Sequence, residues 1–206
     1  MKSSFFKFSI RDITEIAIMC ALAVVFDKLL KIPLGQTGGS INFATVPLFL
    51  IAYRHGWYKG LVGAGLVFGV TTCLLDAYGF QYFFFDYFVA FGSIAIGGLF
   101  GSLIFKTYSK KGALSKVIAI AIVILTVAIF FVVRTLSASM DSMIFYGYTF
   151  MESIIYNVGY IGPSCGIVAI ILVILLPLFK FINQIYPTPY LKDVVEEAIE
   201  NTEIEE

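Results

Sequence analysis

Residues 82–105 run YFFFDYFVAFGSIAIGGLFGSLIF, a stretch long enough to cross a bilayer with one charge in it, Asp86. A spanning helix takes ~20 apolar residues. A carboxylate in such a run is costly against lipid, so Asp86 is expected to face a helix bundle or a cavity. Downstream of it the residues are small: Gly92, Ser93, Ala95, Gly97, Gly98, Gly101 and Ser102. Small residues let a second helix approach closely. One end of this segment is therefore suited to a polar object and the other to tight packing.

Similar runs recur along the chain, and hydrophobic residues make up 59% of the sequence against 14% charged. Soluble domains carry roughly 25% charged residues. The expected fold class is an all-α integral membrane protein, a six-transmembrane-helix bundle. The expected spans are residues 11–31, 41–53, 60–75, 82–105, 117–133 and 153–182. Residues 1–186 form the membrane domain and 187–206 an acidic cytoplasmic tail. No removable signal peptide is expected, because residues 1–12 lack a small-residue cleavage site.

The span boundaries follow from local chemistry. Pro33 disfavours helix at the residue before it and closes the first helix. Residues 34–42 are Gly-rich and too polar to cross. The second apolar segment is short and carries Pro47, so a broken or tilted helix is expected. Residues 54–59 read as a polar and aromatic turn, and 76–81 as a loop. The fifth helix is almost wholly aliphatic and is expected to end at Arg134. Residues 135–152 are mixed, and Pro163 and Pro177 interrupt the sixth helix. Asp27, Lys28 and Lys31 read as interfacial charges whose long chains reach the headgroups.

Charge fixes the expected orientation. With both termini cytoplasmic, eleven of the fourteen Lys and Arg residues fall on inner segments, and only Lys28, Lys31 and Arg134 fall outside. Asp76, Asp86, Asp141 and Glu152 then all lie toward the outer face. They share it with Tyr78, Phe80, Tyr82, Tyr87, Tyr146, Tyr148, Tyr156 and Tyr160. Such a lining suits a small organic molecule with cationic or donor groups and an aromatic ring. The plainer alternative is an aromatic belt with wetted carboxylates. Seven of the fourteen acids lie in the last fourteen residues, and a solvated, disordered end is expected there.

Several functions are poorly supported. The single histidine, His55, is expected at the end opposite the acids, which disfavours a serine–histidine hydrolase. The three cysteines stand singly, with no metal-ligand spacing, so neither metal nor cofactor is expected. There is no GxxxxGK[ST] phosphate loop. No basic patch interleaved with aromatics points to nucleic acid. An enzyme using Asp86 and Glu152 as acid and base, or a stand-alone secondary transporter, remains as an alternative.

Four stretches in order carry a family resemblance: TEIAIMCALAVV at 14–25, GGSINFATVPLFLIAYRHGWYKGLVGAGLVFG at 38–69, DYFVAFGSIAIGGLFG at 86–101 and YNVGYIGPS at 156–164. The chain resembles the substrate-binding S components of energy-coupling factor vitamin transporters, closest to the thiamine-specific branch. The resemblance implies a six-helix bundle in a prokaryotic plasma membrane, with a vitamin site near the outer face capped by the loop between helices one and two. It implies as partners a transmembrane coupling subunit and two ATPase subunits. It also implies that the S component topples in the membrane to deliver its vitamin, and that the protein is not an enzyme.

Residue by residue, the family's acid before Tyr corresponds to Asp86-Tyr87, its sixth-helix asparagine to Asn157, and its aromatic before helix six to Tyr146. Ala17 and Ala21 correspond to the first-helix Ala-x-x-x-Ala contact with the coupling subunit. Three positions depart. The fifth-helix histidine falls at Ala138, a tyrosine falls at Glu152, and the lid tryptophan falls near Gly38. The expected ligand-binding set is Asp86, Tyr87, Asn157, Glu152 and Tyr146. The ligand is thiamine or a thiamine-like compound, with another vitamin as the alternative.

Overall fold

A computed structural model describes residues 7–33 and 39–204. Helix α1, Ile10–Leu29, starts on a capping box: Ser9 and Asp12 each accept the other's backbone N–H. After α1 the chain forms a two-residue antiparallel ladder, β1 (Ile32–Pro33) with β2 (Ser40–Ile41). No strand is expected there from the sequence, because two-residue strands carry no readable periodicity.

Helix α2, Thr45–His55, is buried on almost every side. Its eleven residues span only about 16 Å, short of the ~30 Å hydrocarbon core. Of the expected break or tilt, the break does not occur, because Pro47 sits in the first turn, where no intrahelical bond is lost. Phe49, Leu48 and Ile51 make it the centre of the core, with Phe68, Ile94, Ile104 and Phe105 packed around.

Helix α3, Trp57–Asp76, follows after a single break at Gly56 (φ 84°). The expected six-residue turn is therefore one residue. Its middle, Leu61–Phe68, is π-wound. Helix α4, Phe80–Leu99, begins with a 3-10 turn, is π-wound over Phe83–Val89, and tightens to 3-10 over Ser93–Leu99. Helix α5, Gly101–Ser109, continues it. The glycines here meet backbone directly. A Cβ on Gly98 would lie 2.5 Å from the Trp57 nitrogen, and one on Gly101 2.1 Å from the Tyr53 carbonyl oxygen. The small-residue end of the 82–105 run is thus the seat of the α2–α3 junction.

Helix α6, Ala113–Tyr146, is 34 residues long and does not stop at Arg134. That side chain is satisfied inside the protein, so nothing forces the helix to end at an interface. It closes at Gly147, which adopts the left-handed conformation (φ 70°) of a helix stop. Helix α7, Phe150–Ile174, runs through Pro163, and α8, Leu176–Ile185, restarts at Pro177. Among the described residues four helices, α3, α4, α6 and α7, are long and apolar enough to cross a membrane.

At the end of the bundle away from Asp86, buried charges join α1 to α2, α3 and α8. Asp12 binds Lys59 (2.8 Å) and His55 (3.1 Å). Glu15 binds Arg54 (2.7 Å) and the other His55 nitrogen (3.0 Å). Arg54 also donates to Asn183 (2.8 Å). The C-terminal segment docks at this end instead of trailing as a solvated, disordered tail. Helix α9, Lys192–Ile204, buries Leu191 before it and Val195 within it. Tyr190 donates to the Gly98 carbonyl (2.7 Å), and Lys106 pairs with Glu197 (2.6 Å). The acidic composition masks an apolar spacing, Leu191, Val195 and Ala198, that forms the docked face.

Candidate functional site

At the Asp86 end, α4, α6 and α7 enclose a cavity of about 340 Å³. Each helix contributes residues at helical spacing, which places them on one face. From α4 come Tyr82, Asp86 and Tyr87; from α6, Ala138, Asp141, Ser142 and Tyr146; from α7, Tyr156, Asn157 and Tyr160. Tyr78, Tyr148 and Gly39 complete the wall. Seven of the eight aromatics expected at this face line the cavity. Phe80 does not; it stacks on Phe83 at 4.8 Å.

Asp86 stands in the π-wound part of α4, a winding frequent at functional sites. Its Oδ1 lies 3.3 Å from Nη1 of Arg134, and the same guanidinium donates to the Asp86 carbonyl. Ser137 donates to the Phe85 carbonyl beside it. Arg134 also lies over the Phe91 ring at 4.6 Å. The residue expected to end the fifth helix is therefore the cation that anchors α6 to α4. From sequence the pairing is hidden, since 48 residues separate the two.

Tyr87 is buried and donates to Asp76 (3.0 Å), which Lys28 holds at 2.6 Å. Lys28 also contacts Asp27 (2.7 Å), and Asp27 accepts from Asn42 (3.3 Å). Lys28 is thus a structural ion-pair partner linking α1 to α3, and does not extend freely to the headgroups. Asn157 is buried, receives the Tyr160 hydroxyl (2.7 Å) and donates to the Ser153 carbonyl (2.8 Å). Ser139 and Ser142 lie 3.4 and 3.5 Å from its amide nitrogen. Tyr146 stands between Tyr82 and Tyr148, with ring centroids 6.0 and 6.2 Å away.

Glu152 is not brought to the cavity. It is exposed in the first turn of α7, where it accepts from the Thr149 backbone (2.9 Å) and hydroxyl (2.7 Å), and Thr149 caps its N–H in return. A Thr-x-x-Glu spacing ahead of an apolar run is the readable signature of this box. Gly38, expected near the lid, lies outside the described residues. Its neighbour Gly39 crosses close to the site: with φ 76°, a Cβ there would fall 2.9 Å from the Tyr160 ring. Ala17 and Ala21 are exposed on α1, while Ala23 is fully buried and faces the opposite way.

A second cavity, about 240 Å³, opens between α1, α2 and α8. Its polar residues, Glu15, Arg54 and Asn183, are already bonded to one another. The tyrosine-lined cavity differs in holding Asp141, whose Oδ1 has no hydrogen-bond partner among the described residues.

The family described as thiamine transporter protein (Thia_YuaJ) matches residues 13–184. The thiamine transporter ThiT of Bacillus subtilis is 33% identical over 174 residues, covering 78% of this chain and 88% of the relative. A solved ThiT structure from Listeria monocytogenes shares the fold, with a TM-score of 0.66 at 24% identity, over 82% of this chain and 97% of that one. The family is one of multi-pass membrane transporters and not of enzymes, in keeping with the four spanning helices. On the length matched and the identity, this chain belongs to the thiamine transporter protein (Thia_YuaJ) family.

Proposed function

We propose that this protein is the substrate-capture subunit of an ATP-driven vitamin importer of the energy-coupling factor class, and that the tyrosine-lined cavity binds thiamine or a thiamine-like compound at the outer face. The observation that carries the reading is the cavity itself: two carboxylates, Asp86 and Asp141, among seven tyrosines, in a chain of this family. A cationic aromatic vitamin matches such a lining, because ring faces and carboxylates both attract a delocalised cation. The relative in Bacillus subtilis carries the name thiamine transporter, which supports the choice of vitamin.

In this reading Asp86, Tyr87, Tyr146 and Asn157 contact the ligand, with Tyr160 beside them. Asp86 accepts from the ligand's donors. Tyr146, between two other tyrosines, offers a ring face. Asn157 turns Tyr160, and Asp76 with Lys28 fixes Tyr87. Glu152 serves as a helix cap.

The membrane arrangement goes with it: six membrane segments, the short α2 counted among them, and both ends inside, as the basic residues favour. The exposed Ala17 and Ala21 give α1 a shallow face for a helix of the transmembrane coupling subunit, which two ATPases would drive. Equilibrium binding of radiolabelled thiamine to the purified chain tests the ligand, and absence of binding at micromolar concentration overturns it. Co-purification with a coupling subunit and two ATPases tests the assembly. Uptake into vesicles by the chain alone would overturn it in favour of a secondary transporter.

A further inference from the structure

Asp141 carries a buried carboxylate oxygen that the fold leaves without a hydrogen bond. It lines the cavity and is only 5% exposed. Its Oδ1 has no hydrogen-bond partner among the described residues. Buried polar groups are nearly always satisfied, and an unpaired buried charge costs several kcal/mol. A group kept in that state inside a ligand-sized cavity calls for a partner that arrives from outside.

The other carboxylate of the cavity is in a different position. Asp86 faces Arg134 at 3.3 Å, and Arg134 is fixed further by the Asp86 carbonyl and the Phe91 ring. In formal charge Asp86 and Arg134 cancel. Asp141 adds a second carboxylate beside that pair, and neither Lys nor Arg is among the lining residues. Its neighbours on the same face of α6 do not satisfy it. Ala138 offers a methyl group, and the Ser142 hydroxyl donates to the Ala138 carbonyl (2.9 Å). Nearby, Tyr82, Tyr146 and Tyr148 form a run of ring faces suited to a cation.

The geometry points to Asp141 as the counter-ion that selects a positively charged aromatic ring in the ligand, while Asp86, already neutralised by Arg134, acts as a hydrogen-bond acceptor for uncharged donors. This division of labour rests on the reading that the cavity holds thiamine or a similar compound. It assigns charge recognition to a residue outside the expected binding set, one helical turn from Ala138.

The test compares two probes on the full-length purified protein: thiamine, and its isostere with an uncharged thiophene in place of the thiazolium ring. The wild type is expected to prefer thiamine by about tenfold or more, the scale of one desolvated charge contact. Asp141→Asn removes the charge at constant shape and is expected to reduce that preference to about threefold or less. Asp86→Asn is expected to weaken both probes while the preference persists. Full preference in Asp141→Asn overturns the assignment, and so does a wild type that binds both probes equally. If Asp141→Asn is not recovered folded, Asp141→Ser carries the same comparison. Failure of the wild type to bind either probe overturns the thiamine reading and this inference with it. Binding of thiamine with an unchanged preference in the variant overturns the inference alone.

Discussion

Arg134 and Asp86 meet at 3.3 Å across 48 residues of sequence, and the same guanidinium also takes the Asp86 carbonyl. One side chain thus fixes both the carboxylate and the backbone of the π-wound turn that carries it. The pair joins α6 to α4 at the wall of the cavity, so it bears on stability and on ligand binding together.

Removing the acid from this pair should be felt at the ligand. Asp86→Asn keeps the shape of the side chain and gives up the charged acceptor. Thiamine affinity is expected to fall at least tenfold, about 1.4 kcal/mol, read by equilibrium binding of the radiolabelled vitamin. Unchanged affinity would place Asp86 outside the site.

Removing the base should be felt in the fold. Arg134→Met keeps an unbranched chain at this position but removes the guanidinium from over Phe91 and leaves the Asp86 carboxylate without its cation. The loss is expected to be roughly 1.5–3 kcal/mol, the range for hydrogen bonds to charged groups. A lowered melting temperature in detergent would show it, and a melting temperature equal to the wild type would make the pair energetically idle.

Asn157 has its amide oxygen on Tyr160 and its amide nitrogen on Ser153. Asn157→Leu leaves the Tyr160 hydroxyl without that acceptor in a buried setting. A cost of roughly 1–3 kcal/mol is expected, together with weaker thiamine binding as Tyr160 loses its fixed direction. Asn157→Asp preserves the acceptor and should retain more affinity than the leucine variant in the same assay.

Glu152 closes a capping box outside the cavity. Glu152→Ala is expected to lower the melting temperature slightly, since half of the capping box is lost, with thiamine affinity within about twofold of the wild type. A large loss of affinity would return this acid to the binding set.

Gly101 tests the packing at the other end of the same helical run. A methyl there meets the Tyr53 carbonyl at 2.1 Å, and backbone on both sides has little room to move. Gly101→Ala is expected to destabilise by at least ~1–3 kcal/mol, seen as poor recovery of monodisperse protein. The glycine-to-alanine change at Gly112, where nothing lies within 4 Å but φ is 139°, separates backbone strain from collision.

The membrane class, the span around Asp86 and the gathering of tyrosines at one face were legible in the sequence. Each depends on local composition and on helical periodicity alone. Hydrophobic runs of spanning length have few solutions, and a lone acid within one must turn inward. Of the five residues expected at the ligand, Asp86, Tyr87, Tyr146 and Asn157 line one cavity and Glu152 does not. Other features needed the fold, because they are pairings between distant segments. Arg134 reads as a helix end until Asp86 is placed opposite it, after which α6 runs on to Tyr146. Lys28 reads as a headgroup-seeking chain until Asp76 is set beside it at 2.6 Å. The acidic C-terminal segment reads as solvated until Leu191 and Val195 are found against the core. Sequence alone determined what each segment can tolerate around it, through apolarity and charge. Only the tertiary structure decided which charge meets which, since burial makes an ion pair's partner a matter of three-dimensional proximity rather than of spacing along the chain.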